Sequence, residues 1–541
     1  MGASVCPQPS PQRTGIASLC CLVALALAVP TVLAAKSTQE KLERLLQPAK
    51  SPGVMRLAGR TIKYPAVIRN FYTSRDFTPL WTGTRANRLR GRSLLQAVGE
   101  GAHHGLDPSR YHITAIETSF STGDRAKAEL LMTDAFLLQA RHRADGILDP
   151  EAVAPEWYAL QPTTEIAPHL ASVARGTDPT EALDALWPEE PAYWRLLVAK
   201  GALKAARARG RHIVIPEGPA LREGVMDPRV PLLRQRLALP ATDETLYDHR
   251  MADAVSAYQE TMGLQPDGLA GPKTLEALNK TPEQRLRQID ANLERWRWLP
   301  ARLPADHILV NVPAFQLSAI RDGKAELNMP VIVGMPLRPT PAFRQDLQYL
   351  VFNPYWEIPE TIAVQDKLPE LRRDPRRLAG QGVEAAPWGS DQMVPVDQID
   401  WRRVPTKPFP YRLRQLPGPD NPLGRIKFML PNKQAVYLHD TPDRSLFERC
   451  ERGLSSGCVR VANAQRLAEW VLQFQVETWD SERIETQITS DETRTLALDA
   501  PIPVFIVYFT SYVDAEGTLR FQRDLYGADP PIINALNAST L

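Results

Sequence analysis

The spacing of apolar residues changes near residue 300, and this change constrains the fold more than any other feature. Apolar residues recur every three or four positions in Ala126–Arg143, Pro191–Ala206 and Pro282–Trp298, which is typical of helices. Beyond that point Ile308–Ile320 and Leu327–Val333 are apolar runs typical of strands. The sequence therefore predicts a multidomain α+β protein that is helical first and mainly β afterwards.

Length and charge limit the number of domains and the kinds of partner that can be expected. A chain of 541 residues is too long for a single core, so three or four domains are expected. The net charge of +2, with 43% hydrophobic and 23% charged residues, describes an ordinary globular protein. It gives no reason to expect nucleic acid as a partner.

The first 35 residues have the pattern of a signal peptide. Arg13 is their one charged side chain, and the apolar run Ile16–Val29 is followed by small residues. Cleavage is expected after Ala34 or Ala35, which predicts a periplasmic protein whose mature chain has no membrane span. An uncleaved anchor stays an alternative.

Cleavage would leave two of the five cysteines, Cys450 and Cys458. Two thiols in an exported protein of this size do not form a disulfide scaffold, so chemistry explains Cys458 better than structure does. Cys450 is interpreted as a bystander thiol. A disulfide with Cys458, which would switch the nucleophile off, is the alternative.

Three segments follow the signal. Residues 36–225 are predicted to be a helical scaffold without chemistry, since His103, His104 and His142 lack metal-ligand spacing. Residues 226–281 form a small three-helix unit around a glycine-rich turn, and residues 282–541 form the mainly β part. Asp322-Gly323 predicts a hairpin, and Asn463 predicts a helix N-cap.

Between Glu360 and Gly424 the strand pattern stops. This polar, proline-rich stretch interrupts a domain whose β pattern resumes immediately after it. It is therefore interpreted as an insertion of about residues 360–424 without strands of its own, of the kind that often forms a lid.

One stretch carries a set of residues suited to acyl transfer. Ala435–Leu438 is expected to be a strand that delivers His439, and a polar loop then leads to Gly457 and Cys458. A thiol needs a base near neutral pH, and an imidazole is the usual one. A glycine before a nucleophile lets the backbone turn and present N–H groups to an oxyanion.

These motifs resemble a known family. His-Asp-Thr followed by Ser-Ser-Gly-Cys-Val-Arg is similar to the signature of the L,D-transpeptidases, cysteine enzymes that cross-link peptidoglycan. The phrases FYTSRDFTPLW and HHGLDPSRYH resemble the scaffold domain of the long Gram-negative members, and AVSAYQETMGLQPDGLAGPKTLEAL resembles a three-helix peptidoglycan-binding module. The resemblance implies a YkuD-like catalytic domain whose insertion caps the active site.

The resemblance also implies roles for residues. Cys458 would be the nucleophile and His439 the base, with the imidazole oriented by a backbone carbonyl. The backbone amides of Gly457 and Cys458, with the Tyr437 hydroxyl, would hold the oxyanion. Ser456 is a further candidate for substrate binding. Arg460 would either bind a substrate carboxylate or brace the loop.

The implied substrates are peptidoglycan stem peptides, with no cofactor and no metal. Cys458 would attack a tetrapeptide stem, expel D-Ala, and pass the acyl group to a side-chain amine in a 3→3 cross-link. Three alternatives stay open: capture by water, which makes an L,D-carboxypeptidase; attachment of an outer-membrane lipoprotein; and a catalytically silent wall-binding scaffold. A serine nucleophile at Ser455 or Ser456, or a metal at His439 and Asp440, fits the sequence less well.

Overall fold

The structure of the chain is a computed structural model. It describes residues 32–47, 55–154, 156–158, 164–210, 212–240, 244–473 and 475–538. The predicted signal peptide therefore lies almost wholly outside the described residues, as do Cys6, Cys20 and Cys21. Among the described helices, none is long and apolar enough to cross a bilayer.

Among the described residues from 32 to 210, the regular structure is helical apart from one short strand pair. Strands β1 (Arg56–Leu57) and β2 (Arg60–Thr61) form a hairpin. The helices are α1 Val32–Leu46, α2 Pro65–Thr73, α3 Arg85–Glu100, α4 Ile113–Ser121, α5 Arg125–Ala144, α6 Pro150–Val153, α7 Ala167–Arg175, α8 Pro179–Asp184 and α9 Pro191–Arg209.

Helix α5 is the centre of this scaffold, and most of its side chains are buried. Its Glu129 is fully buried and accepts hydrogen bonds from the Tyr72 hydroxyl at 2.9 Å and from the backbone N–H groups of Trp81 and Thr82 at 2.9 and 2.8 Å. A buried carboxylate with this many donors fixes the chain around it. We assign it a structural role.

A three-helix module follows, with a separate core of its own. It comprises α10 Val230–Arg236, α11 His249–Thr261 and α12 Pro272–Asn279. Gln259 braces its glycine-rich turn, since its Nε2 donates to Asp267 Oδ1 at 2.8 Å and its Oε1 accepts from the Gly268 N–H at 2.9 Å. Gly268 has a φ of 68°, which glycine tolerates best.

Helix α13 (Pro282–Arg297) joins the scaffold to the second half of the chain. Glu294, which is fully buried, accepts from the backbone N–H of Leu148 in the scaffold at 2.8 Å. On the other side Asn292 donates to Thr510 Oγ1 at 2.8 Å, and Arg295 pairs with Asp529 at 2.5 Å. One continuous cluster of buried apolar side chains accordingly runs from the scaffold into the β half.

The second half contains strands of 2 to 14 residues. They are β3 His307–Asn311, β4 Gln316–Arg321, β5 Lys324–Gly334, β6 Phe343–Phe352, β7 Trp356–Ile358, β8 Val383–Pro387, β9 Val394–Pro395, β10 Tyr411–Gln415, β11 Ile426–Met429, β12 Leu438–His439, β13 Gly453–Ser455, β14 Val459–Val461, β15 Arg494–Val507, β16 Ser511–Val513 and β17 Leu519–Phe521.

Nine of these strands form one sheet, in the order β13-β5-β14-β12-β11-β6-β15-β3-β4, and β4 also pairs with β5 so that the sheet closes on itself. The remaining helices are α14 Glu360–Ile362, α15 Leu368–Arg373, α16 Pro375–Gly380, α17 Ala464–Leu472, α18 Ser481–Thr489 and α19 Asp529–Ala538, with a π turn at Ala363–Lys367. The predicted multidomain α+β fold is confirmed.

Local predictions are confirmed in two places. Arg321 pairs with Lys324 across Asp322-Gly323, so this dipeptide is the turn of a hairpin. Asn463 caps α17, since its side chain accepts from the Arg466 N–H.

One strand prediction is wrong in extent. The strand before His439 begins at Leu438, because Ala435 has a φ of 55° and turns the chain instead of extending it. Further along the chain β15 ends at Val507, and β16 pairs with β17 in a separate hairpin.

The prediction that the insertion lacks strands is also wrong. Strands β8, β9 and β10 lie within it and form a sheet with β7, in the order β7-β10-β8-β9. They surround a separate apolar core that contains Leu378 and Trp401. These strands span two to five residues, too few for an alternating pattern to stand out between prolines.

Candidate active site

Cys458 and His439 are brought together by two short parallel strands. β12 and β14 pair with Leu438 opposite Val459 and His439 opposite Arg460. The N–H of Val459 also donates to the carbonyl of Tyr437 at 3.1 Å. The register therefore places Cys458, just before β14, beside Tyr437, just before β12.

A tight turn presents Cys458. Gly457 has a φ of 116°, a backbone conformation that residues with a side chain rarely adopt. The Ser455 hydroxyl donates to the Cys458 carbonyl at 2.5 Å and accepts from the Gly457 N–H at 3.2 Å. The Thr340 hydroxyl donates to the Gly457 carbonyl at 2.7 Å and accepts from the Gly334 N–H at 2.8 Å. Two buried hydroxyls thus hold the turn, and the Gly457 N–H is already engaged.

His439 is buried and held by the backbone. Its Nδ1 lies 2.5 Å from the Asp440 carbonyl oxygen, which can only accept, so Nδ1 carries the proton and Nε2 is the basic nitrogen. A backbone carbonyl thus orients the ring, as expected. Burial, followed by the nearby charge of Arg460, lowers the pKa of His439 to about 3. The imidazole is neutral at physiological pH.

The Cys458 thiol lies near a backbone carbonyl oxygen. Its Sγ lies 3.8 Å from the carbonyl oxygen of Ala435. Among the hydrogen bonds of the described residues, none joins Cys458 directly to His439. Hydrogen bonds that tighten only in the substrate complex are common at active sites.

Burial raises the pKa of the Cys458 thiol, while hydrogen bonds from Tyr437 and the charges of Lys427 and Arg460 act in the opposite direction. The resting pair is therefore a neutral thiol and a neutral imidazole. Tyr437 lies beside both partners, since it lowers the pKa of the Cys458 thiol and its ring centroid lies 5.6 Å from that of His439. Burial also raises the pKa of Tyr437 well above its ordinary value, which keeps the phenol protonated.

Arg460 and Asp440 both contact the loop between the strands. Arg460 Nη1 lies 3.5 Å from Asp443 Oδ2, a long contact that favours the loop-bracing interpretation without excluding a substrate carboxylate. The Asp440 carboxylate accepts from the Arg425 N–H at 2.8 Å and pairs with Arg444 at 2.5 Å. It is committed to the loop and does not face the imidazole as a third catalytic group.

A cleft of about 290 Å³ opens beside Cys458. Residues from four parts of the chain line it: Glu156, Tyr158, Pro339, Pro341, Gln434, Ala435, Val436, Ser456, Gly457 and Cys458. No metal-binding cluster of histidine, cysteine or carboxylate side chains occurs among the described residues.

The insertion contacts the cleft from one side. Arg338 pairs with Asp366 in the π turn at 2.6 Å and donates to Ser456 Oγ at 2.9 Å. Tyr437 packs against the apolar core of the insertion. The insertion therefore covers the phenol that contacts the candidate nucleophile.

Sequence reasoning missed four residues at this site: Glu156, Tyr158, Lys427 and Arg338. Lys427 Nζ lies 3.9 Å from the ring centroid of Tyr437 and is half-buried. A lysine in a short strand opposite His439 was the one available signal. The others approach Cys458 only through tertiary folding.

Comparison with protein families matches three parts of the chain. Residues 66–199 match a "Scaffold domain", residues 232–278 a "Putative peptidoglycan binding domain", and residues 305–499 an "L,D-transpeptidase catalytic domain", named YkuD. All of the candidate residues between Tyr437 and Arg460 fall inside the third match.

A "Putative L,D-transpeptidase" of Haemophilus influenzae is 37% identical over 225 residues. The match covers 42% of this chain and 45% of that protein, so the chain spans less than half of its curated relative.

Solved structures give low global scores. An L,D-transpeptidase from Mycobacterium smegmatis is 12% identical, with a TM-score of 0.19 over 38% of this chain and 58% of that one. One from Xylanimonas cellulosilytica is 16% identical, with a TM-score of 0.16 over 54% of this chain and 99% of that one. At these scores the likeness carries no argument.

The chain therefore carries a scaffold domain, a peptidoglycan-binding domain and a YkuD L,D-transpeptidase catalytic domain, in this order.

Proposed function

We propose that the protein is an exported cysteine L,D-transpeptidase that forms 3→3 cross-links between peptidoglycan stem peptides. The observation that supports this best is the parallel register of β12 and β14, which sets Cys458 beside Tyr437 and two residues from the level of His439. The pattern of residues 1–35 supports export to the periplasm.

In the first half of the reaction, the Cys458 thiol transfers its proton to His439 Nε2 as Sγ attacks the carbonyl of the third residue of a tetrapeptide stem. The bond from that carbonyl to the terminal D-Ala then breaks, and the D-Ala nitrogen takes the proton from His439. D-Ala leaves, and a thioester remains on Cys458. The neutral resting state of both groups suits this concerted proton transfer.

In the second half, the side-chain ammonium of another stem first loses one proton to solvent. The neutral amine then attacks the thioester and gives a second proton to His439. The C–S bond breaks, the new amide is released, and Cys458 recovers its proton. The oxyanion of each step would be held by the Cys458 N–H and the Tyr437 hydroxyl, with Lys427 adding positive charge nearby. The Gly457 N–H would join only by leaving Ser455.

The assignment of Cys458 can be tested by acylation with a carbapenem, whose strained lactam offers the same kind of carbonyl. The wild-type protein should gain the mass of one lactam, and Cys458→Ala should gain none. Cys450→Ala, the matched control at the other free thiol, should react like the wild type. An adduct that persists in Cys458→Ala, or none on the wild type, would contradict the assignment.

Product analysis separates the transpeptidase from its alternatives. Purified protein given tetrapeptide muropeptides should release D-Ala and form cross-linked dimers, identified by mass spectrometry. Free tripeptide without dimers would indicate a carboxypeptidase. Transfer only to a lipoprotein's terminal lysine would indicate an anchoring enzyme.

A further inference from the structure

A segment of the scaffold domain is built into the catalytic domain beside the cleft. Trp157 forms a parallel bridge with Ala342. The Ala342 N–H donates to the Glu156 carbonyl at 2.8 Å, and the Tyr158 N–H donates to the Ala342 carbonyl at 2.6 Å. Residues 156–158 thus extend the catalytic domain by a one-residue rung, although almost 200 positions separate them from Ala342 in sequence.

The segment is anchored on its far side as well. The Trp157 side chain is 3% exposed, and its ring meets that of Trp298 edge-on at a centroid distance of 5.2 Å. Because Trp157 is buried, its neighbours Glu156 and Tyr158 are exposed toward the cleft. Alternation along an extended segment accounts for this arrangement.

The position of Glu156 is coupled to that of Cys458. Thr340, two residues before Ala342, holds the Gly457 carbonyl at 2.7 Å, and Gly457 precedes the nucleophile. A short series of backbone and hydroxyl hydrogen bonds therefore links the backbone of Glu156 to the turn before the thiol. Such a rigid link is what a substrate-positioning group requires.

Glu156 places a negatively charged side chain at this cleft. Among the lining residues that the structure describes, it is the only carboxylate, and no lysine or arginine lines the cleft with it. No cationic side chain in the described part of the chain forms an ion pair with it. An unpaired carboxylate at the mouth of a reactive cleft is suited to bind a cation on the substrate.

We propose that Glu156 binds the side-chain ammonium of a stem peptide, and that the scaffold domain thereby supplies a specificity-determining residue to the catalytic site. This inference rests on the proposed function. Donor and acceptor stems both carry such an ammonium, on the diaminopimelate-type residue, and the experiment distinguishes these two sources.

The experiment compares Glu156→Gln with Glu151→Gln, an exposed glutamate on α6 that does not line the cleft. The first readout is the rate of thioester formation on the full chain with a tetrapeptide donor. The second is the ratio of cross-linked dimer to hydrolysed tripeptide. If the donor ammonium binds Glu156, Glu156→Gln should slow thioester formation on the order of tenfold. If the acceptor ammonium binds it, that rate should stay unchanged and the ratio should fall by a similar factor.

Acetylation of the amine is a matched control on the substrate side. The wild type and Glu156→Gln should acylate at the same rate with a donor whose side-chain amine is acetylated, because that donor has no charge for Glu156 to bind. A similar loss with both donors would assign Glu156 to folding or general access and would overturn the inference.

Acylation by a β-lactam without a cationic group separates this inference from the proposed function. Both glutamine variants should react with it like the wild type, which shows that Cys458 and its turn are intact. If the wild type forms neither adduct nor dimer, the proposed function fails. If it forms both and Glu156→Gln matches Glu151→Gln in rate and ratio, only the role of Glu156 is lost.

Discussion

At the scale of single residues, the buried imidazole of His439 determines how the thiol of Cys458 must be activated. A histidine whose pKa has fallen to about 3 cannot hold a thiolate as a resting ion pair. It can act only as a general base that receives the proton while the carbon–sulfur bond forms. This mode differs from cysteine sites in which a lowered thiol pKa supplies the nucleophile in advance.

The pH dependence of acylation checks this interpretation. The folded-state pKa of His439 lies below its ordinary value of 6.5, so the neutral, competent form prevails from well below pH 5 upward. The raised pKa of Cys458 keeps the thiol protonated across the same range. The rate constant for β-lactam acylation should therefore be nearly constant from about pH 5 to 8. A rise with a midpoint near 6.5 would mean that His439 titrates normally.

His439→Ala is the companion variant. Its acylation rate should fall by roughly 10²–10⁴ near neutral pH, since a general base is lost. The residual rate should then rise about tenfold per pH unit, because only spontaneously ionised thiol reacts. A loss below tenfold would assign the base to another group.

The candidate site residues that lie close together in the chain could be predicted from the sequence. His439, Gly457 and Cys458 lie in one stretch whose pattern indicates chemistry by itself. Lys427 lies in the strand opposite His439, and Glu156 lies in the scaffold segment that pairs with Ala342. The contact of Glu156 leaves no pattern in the local sequence, and that of Lys427 leaves only a lysine within a short strand.

At the scale of elements, the capping insertion is an independent unit. Its apolar core is separate from that of the nine-stranded sheet, and its strands pair only among themselves and with β7. The sequence predicted an insertion of about residues 360–424 but not its strands. Tertiary packing against Leu378 and Trp401 stabilises segments too short to be recognised from periodicity.

Removal of this insertion should leave a folded catalytic sheet. Trp356 and Gln415 are partners across β7 and β10, so replacing residues 357–414 with an Asn-Gly turn joins neighbouring positions. We expect soluble protein that unfolds cooperatively on heating, as followed by far-UV circular dichroism, and slower acylation because Tyr437 loses its cover. The lactam adduct, followed by mass spectrometry, reports the rate. Insoluble protein would show that the insertion belongs to the core.

At the scale of the whole molecule, the distribution of cores predicts how the chain unfolds. The scaffold and the catalytic domain share one apolar cluster, whereas the three-helix module has its own. Exposed ion pairs such as Lys273–Glu451, at 2.6 Å, add little to the coupling between the module and the catalytic domain. Calorimetry should therefore resolve the unfolding of the three-helix module from that of the shared core.

Matched valine-to-alanine changes assign these transitions. Val173 in the scaffold, Val310 in the catalytic sheet and Val255 in the module are all fully buried. Each truncation should cost about 2 kcal/mol of unfolding free energy. Val173→Ala and Val310→Ala should lower the midpoint of the same transition, and Val255→Ala that of the other. If Val173→Ala and Val310→Ala shift different transitions, the shared core does not act as one cooperative unit.

The shared core also has a consequence for how such genes diversify. A new scaffold introduced by recombination would lack the side chains that pack around α13 and the bridge between Trp157 and Ala342. The scaffold and the catalytic domain should therefore be inherited together. The three-helix module carries its own core between them and can be exchanged, duplicated or lost like a cassette. We expect the ancestry of the module to be more mixed than that of the scaffold and the catalytic domain.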